Sequence, residues 1–271
     1  MYSVCRVTAL LCCAASLACA GGSSLRVCAD PGNLPFSNAR GQGFENALAR
    51  MAARDLGRGL IYVWKQDRGG YLAKTLNSGL CDVVMGVPAG IAQGLPTQPY
   101  YRSSYSFVSR RGRRLHVHSL DDPALRHLRI GLHVLQHEDA TAPPARALLR
   151  RGMLSNIVWY RLFPDFDRAN PPAELIEAVE RGDIDLAIAW GPLAGYFARR
   201  SEVPLDVTPI SPDTAGTAEP LAFSISMCVR PGDSRLVAAL NRFIDRRRPE
   251  IGRLLEGYGI PVSDMERIAK R

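Results

Sequence analysis

Asp30 follows an alternating apolar run, LRVCA at residues 25–29, and opens a loop rich in turn formers: Pro31, Gly32, Asn33, Pro35, Asn38, Gly41 and Gly43. A carboxylate at such a strand end can accept hydrogen bonds from a ligand or move a proton. Acid–base catalysis needs a second matched group, and no other carboxylate is placed there by the pattern. The chain is therefore read as a non-enzyme, with no catalytic residue assigned. Other chemical patterns fail on inspection. In GQGFEN at residues 41–46, Asn46 stands where a dinucleotide fingerprint needs its third glycine. His116 and His118 have no carboxylate or cysteine at ligand spacing, and His133 and His137 fall on an expected loop, so no metal is expected. No G-x-S-x-G elbow and no C-x-x-C pair occurs, and no cofactor is called for.

The elements that must carry Asp30 follow from periodicity. Strands are expected at residues 25–29, 61–64 and 82–87, with helices at 44–56 and 72–78 between them. The alternation recurs at residues 128–190, with strands at 128–132, 157–161 and 185–190 and helices at 143–151 and 173–181. A further helix is expected at 192–199. Strand–helix alternation predicts parallel sheets with right-handed crossovers, so this is an α/β chain of two similar lobes. Strand-like runs at 105–109 and 221–229 would carry the chain between the lobes twice. Two late helices, at 234–247 and 249–258, return to the first lobe. The expected division is a leader at 1–20, a first lobe at 21–110 plus 216–271, and a second lobe at 111–215.

The leader rests on Arg6, an apolar stretch from Val7 to Ala18 and the A-x-A sequence ending at Ala20. It implies export to the periplasm, which makes nucleic acid an unexpected partner. The net charge is +8, carried mainly by arginine, and such a surface attracts acidic proteins or anionic membranes. The tight arginine clusters are Arg110, Arg111, Arg113, Arg114 and Arg246, Arg247, Arg248.

Six ordered segments resemble one family: LRVCADPGNLPFSN (25–38), GFEN (43–46), CDVVMGVP (81–88), PYYRSSY (99–105), WGPLAGY (190–196) and ISM (225–227). They resemble type II periplasmic solute-binding proteins, and within them the MxaJ/XoxJ branch associated with quinoprotein methanol dehydrogenases. The resemblance implies two lobes closing on a central cleft and a role in alcohol oxidation. Its implied partners are a PQQ-containing methanol dehydrogenase and its cytochrome c, together with an unknown small ligand, and a monomer is expected. The competing reading is an ABC-importer receptor for a small solute. Relatives that bind amino acids clamp the carboxylate with an arginine after the third strand. The equivalent stretch here, VPAGIAQGLPT at 87–97, has none, and Trp190 takes the region of their ammonium-binding aspartate.

Parallel sheets bind ligands at the carboxyl ends of their strands. The expected cleft residues are Asp30, Phe36, Gly86, Val87, Tyr100, Arg102, Thr141, Trp190 and Gly191. Tyr100 and its neighbour Tyr101 suit cleft and core equally, and Arg102 suits a hinge ion pair better than the cleft. Pro143 and Pro144 remove donors from the helix start after Thr141. Three cysteines follow the leader: Cys28, Cys81 and Cys228. With strands ordered second-first-third, Cys28 and Cys81 would be staggered by roughly 10 Å along neighbouring strands. Cys81–Cys228 is then the expected bridge.

Overall fold

The computed structural model describes residues 24–66, 69–134, 142–162, 171–211 and 219–260. The leader lies outside these residues. No helix among them is long and apolar enough to cross a membrane.

In chain order the first elements are β1 (Leu25–Ala29), β2 (Gly32–Asn33), β3 (Ser37–Asn38), α1 (Phe44–Asp55), β4 (Leu60–Trp64), α2 (Tyr71–Lys74), β5 (Val83–Pro88), β6 (Leu95–Pro96) and β7 (Tyr101–Arg110). Next come β8 (Ile130–Val134), α3 (Pro143–Arg150), β9 (Ile157–Arg161), α4 (Glu174–Arg181), β10 (Leu186–Trp190) and α5 (Gly191–Ala198). The last are β11 (Leu205–Pro209), β12 (Ala222–Val229), α6 (Ser234–Arg246) and α7 (Arg248–Gly257).

The main strands run in the order β4-β1-β5-β12-β7-β10-β8-β9, with β11 also on β7 and β6 on β12. β4, β1 and β5 are parallel, as are β9, β8 and β10, so each set has the order second-first-third. The long strand β7 joins the sets: residues 101–104 pair with β12 and residues 105–108 with β10, both antiparallel. α1, α6 and α7 cover one face of the first set through Phe44, Leu48, Leu240, Phe243 and Ile251. α3 and α4 cover opposite faces of the second set.

The two sets carry the same clamp, a physical echo of the alternation in the sequence. Arg26 donates through its backbone N–H and Nε to Oδ2 of Asp82 and through a terminal nitrogen to the Gly79 carbonyl. Arg129 does the same to Asp185 and the Gly182 carbonyl. Each clamp ties the first strand of its set to the turn that enters the third. Gly182 has φ 82°, a left-handed conformation that lets its N–H cap α4, and the Arg110 guanidinium lies against it.

The disulfide is Cys28–Cys81, with Cα atoms 5.5 Å apart, and Cys228 is a buried free thiol. The expected Cys81–Cys228 bridge is therefore wrong. A stagger along the strands would hold only if Cys81 continued the line of β5. α2 instead ends at Lys74, and turns through residue 79 bring the chain over the sheet face, where the Leu80 N–H bonds the Thr75 carbonyl. Cys81 thus packs with Cys28, Val84 and Cys228 on the face opposite α1. Register places Cys228 beside Val84, which is itself beside Cys28. Burial pushes the Cys228 thiol up to about 11, so it stays protonated.

Neither arginine cluster is a free cationic patch. Arg111 pairs with Asp206 and Arg113 with Asp185. Arg246 and Arg247 both pair with Asp55, and Arg248 with Asp245. Asp55 closes α1 and is only 7% exposed, and the Arg246 hydrogen bond holds its carboxyl below the usual range. These pairs anchor α1 to α6 and the start of α7. Asp55→Ala is expected to cost about 1–2 kcal/mol, toward the low end for charged hydrogen bonds because the arginines are half exposed. Urea unfolding checks this, and an unchanged midpoint would contradict it.

Candidate functional site

A cavity of about 380 Å³ opens where the two strand sets meet. β1 brings Ala29 and Asp30 to it, and β5 brings Gly86, Val87 and Pro88, all from carboxyl ends of strands. β10 contributes Trp190 at its end. The connecting strands add Tyr101 and Tyr105 from β7, and Phe223 and Ile225 from β12. Alternation sets this choice, since in a strand every second side chain shares a face.

Of the expected residues, Asp30, Phe36, Gly86, Val87 and Trp190 line this cavity together. Tyr100 does not. It is fully buried in the first core, and its hydroxyl donates to the Met85 carbonyl at 2.9 Å. Tyr101 lines the cavity instead, so the two adjacent tyrosines divide between core and wall. Arg102 and Gly191 face a different cavity on the other side of β7, and Arg102 forms no ion pair among the described residues. Thr141 lies outside the described residues.

The sequence reading missed Glu45. It sits in the first turn of α1 and lines the same cavity as Asp30, giving two carboxylates there. Its side chain occupies the space beside Gly86, where a Cβ would lie 2.2 Å from Oε1. The glycine is thus a packing requirement of Glu45. The loop before α1 supports this placement: Phe44 and Glu45 donate their N–H groups to the Pro35 and Phe36 carbonyls, and Asn46 Oδ1 accepts from the Gly43 N–H.

Aromatic contacts shape the other walls. Trp190 packs between Tyr105 and Phe223, at ring separations of 5.3 and 5.9 Å. Burial pushes Tyr101 well above its ordinary pKa and Tyr105 up to about 12, so both remain neutral hydroxyls. Among the described residues no lysine, arginine or histidine lines the cavity.

The starts of α1 and α3 offer an anion little. At α3, Pro143 and Pro144 have no N–H, and the Ala145 N–H is bonded to the Ala142 carbonyl at 2.9 Å. At α1 the first two N–H groups are already used. The cavity therefore suits a ligand with an apolar body and hydrogen-bond donors or positive charge, rather than a free carboxylate.

MoxJ of Paracoccus denitrificans is 32% identical to this chain over 274 residues, covering 96% of each. The chain belongs to the MoxJ family. Among solved structures, XoxJ from Methylobacterium extorquens AM1, described as a periplasmic binding protein, is similar at 34% identity and TM-score 0.71, over 88% of this chain and 98% of that one. MxaJ from Methylophaga aminisulfidivorans MPT is similar at 27% identity and TM-score 0.74, over 88% and 100%. No family model matches the chain. The fold of this MoxJ-family chain is the two-lobed type II periplasmic binding protein fold that the six sequence segments implied.

A MoxJ-family cleft of this composition should reject amino acids. No cationic side chain lines the cleft among the described residues, and burying a zwitterion's carboxylate against Asp30 and Glu45 there costs several kcal/mol, on the order of the penalty for an unpaired buried charge. Calorimetry with the standard amino acids is expected to show no micromolar binding. Micromolar affinity for any of them would overturn this.

Proposed function

We propose that the protein acts in the periplasm as an accessory of a quinoprotein methanol or alcohol dehydrogenase, docking on the enzyme or activating it, and catalyses no reaction itself. The observation that carries this reading is the match to MoxJ over nearly the full length of both chains. The cleft's composition supports it by disfavouring the ligands of amino-acid receptors. On this reading the first lobe comprises residues 21–110 and 216–271, the second 111–215, and residues 1–20 direct export. The dehydrogenase and its cytochrome c are the partners.

A net charge of +8 would steer the protein toward an acidic partner and make association weaken with salt. The internal ion pairs narrow the residues that could do this. Arg114, exposed and outside those pairs, is a better steering charge than Arg246. Arg114→Glu should slow association with the purified dehydrogenase by roughly twofold or more at low salt, with little effect on stability. Association kinetics at low and high salt test the proposal, and no binding at any salt would refute it. The second reading, an importer receptor, draws on the built cavity of about 380 Å³. It predicts that the purified protein retains a small solute and ignores the dehydrogenase.

A further inference from the structure

β7 presents opposite faces to two cavities. Tyr101 and Tyr105 point into the cleft, whereas Arg102, Ser104 and Ser106 line a second cavity of about 560 Å³ behind it. Arg111 and Arg199 also line this second cavity, and no acidic side chain among the described residues does. Arg111 is engaged by Asp206 at 2.9 Å, and one Arg199 nitrogen donates to the Glu256 carbonyl at 2.8 Å. Arg102 is exposed and pairs with no carboxylate among the described residues. The hydroxyls of Ser104 and Ser106 donate to no described residue, although Ser106 is only 4% exposed. A donor-rich, acid-free pocket with an uncompensated guanidinium is suited to an oxyanion.

The remaining wall is apolar. Leu205, Val207 and Pro209 line it from β11, and Val207 is 37% exposed. The volume falls in the range of small-molecule sites, roughly 300–1,000 Å³. Glycines on α5 let that helix pack tightly against β7 and residue 259, which form the rest of the rim. A Cβ on Gly191 would meet the Ser103 hydroxyl at 2.5 Å, and one on Gly195 would meet the Gly259 carbonyl at 2.3 Å.

We propose that this second cavity binds a small organic anion, its carboxylate or phosphate head held by Arg102 and the β7 serines and its hydrocarbon body laid against β11. The site touches residue 104, where β7 still pairs with β12, and residue 106, where it has passed to β10 and β11. A ligand there contacts both lobes at their junction, back to back with the cleft.

Calorimetry on the full mature protein tests this, with hexanoate and hexyl phosphate as probes and hexanol as the uncharged control. Saturable binding of at least one anion, with none of hexanol, is expected. Arg102→Gln should weaken that binding tenfold or more, with Arg102→Lys intermediate. Val207→Glu, which puts a carboxylate into an exposed part of the wall, should abolish it without unfolding the protein. The proposal is overturned if neither anion saturates, if hexanol binds as well, or if Arg102→Gln and Val207→Glu leave the affinity unchanged.

Discussion

Removing the Cys28–Cys81 bridge is expected to lower the unfolding free energy by about 4 kcal/mol. The bridge closes a loop with a sequence separation of 53. A cross-link of that span restricts the unfolded chain by about 4 kcal/mol in the loop-entropy description. Both sulfurs are buried, so little of this is regained by solvation. The bridge also fastens the end of β1, where Asp30 enters the cleft, to the turn that precedes β5. Reduction should therefore loosen the cleft wall as well as the fold. Cys28→Ser with Cys81→Ser, compared with the parent by urea unfolding, gives the effect directly. Cys228→Ser should leave the bridge intact and cost less. Peptide mapping without reduction that linked Cys81 to Cys228 would contradict the structure, as would a midpoint indifferent to reductant.

His133 should make the protein lose stability as pH falls from about 6.5 to about 4. It lies near the end of β8, and burial pushes its imidazole down to about 4 despite a hydrogen bond with the Pro172 backbone. Its Nε2 has no hydrogen-bond partner among the described residues. In the unfolded chain the same group titrates near 6.5. Above about 6.5 both states hold a neutral ring and the group contributes nothing to the pH dependence. Between about 6.5 and 4 the unfolded state takes up a proton that the folded state refuses, so stability falls with pH. The full loss is roughly 3 kcal/mol. Asp55, Asp82, Asp185 and Glu219 act in a lower window. At Asp82 burial is the largest single influence and pushes upward, but the combined Arg26 and Arg230 contacts outweigh it; arginine partners hold all four below the usual carboxylate range. Their stabilisation is present above about pH 4.5 and is lost only as pH drops further. His133→Gln should flatten the profile between pH 6.5 and 4.5 and leave the steeper acid limb. A parent profile already flat in that upper range would rule out the assignment.

Residues 157–161 were legible as a strand because aromatic and branched residues fill them, and α4 because LIEAV carries helical spacing closed by Gly182. The lobe topology followed from that alternation. The phase of β7 did not. The sequence suggests a strand at 105–109, but it begins at Tyr101, and only its true start decides that Tyr101 faces the cleft while Tyr100 and Arg102 do not. β11 was missed because Leu205–Pro209 is short and is stabilised by its pairing with β7, not by a local signal. Glu45 was missed because its position depends on contact with Gly86, distant in sequence and informative only for what it lacks. The cysteine pairing failed for a related reason. Residues 75–80 leave the sheet plane, and no periodicity records that.

The most direct measurement is turnover of the purified quinoprotein dehydrogenase, with its cytochrome c, in the presence and absence of this protein. It should be run at low and high salt, beside a direct binding assay. The protein is expected to bind the dehydrogenase and change its turnover at low salt, with both effects diminishing as salt rises. Turnover unchanged at every salt concentration, with no binding, would contradict it.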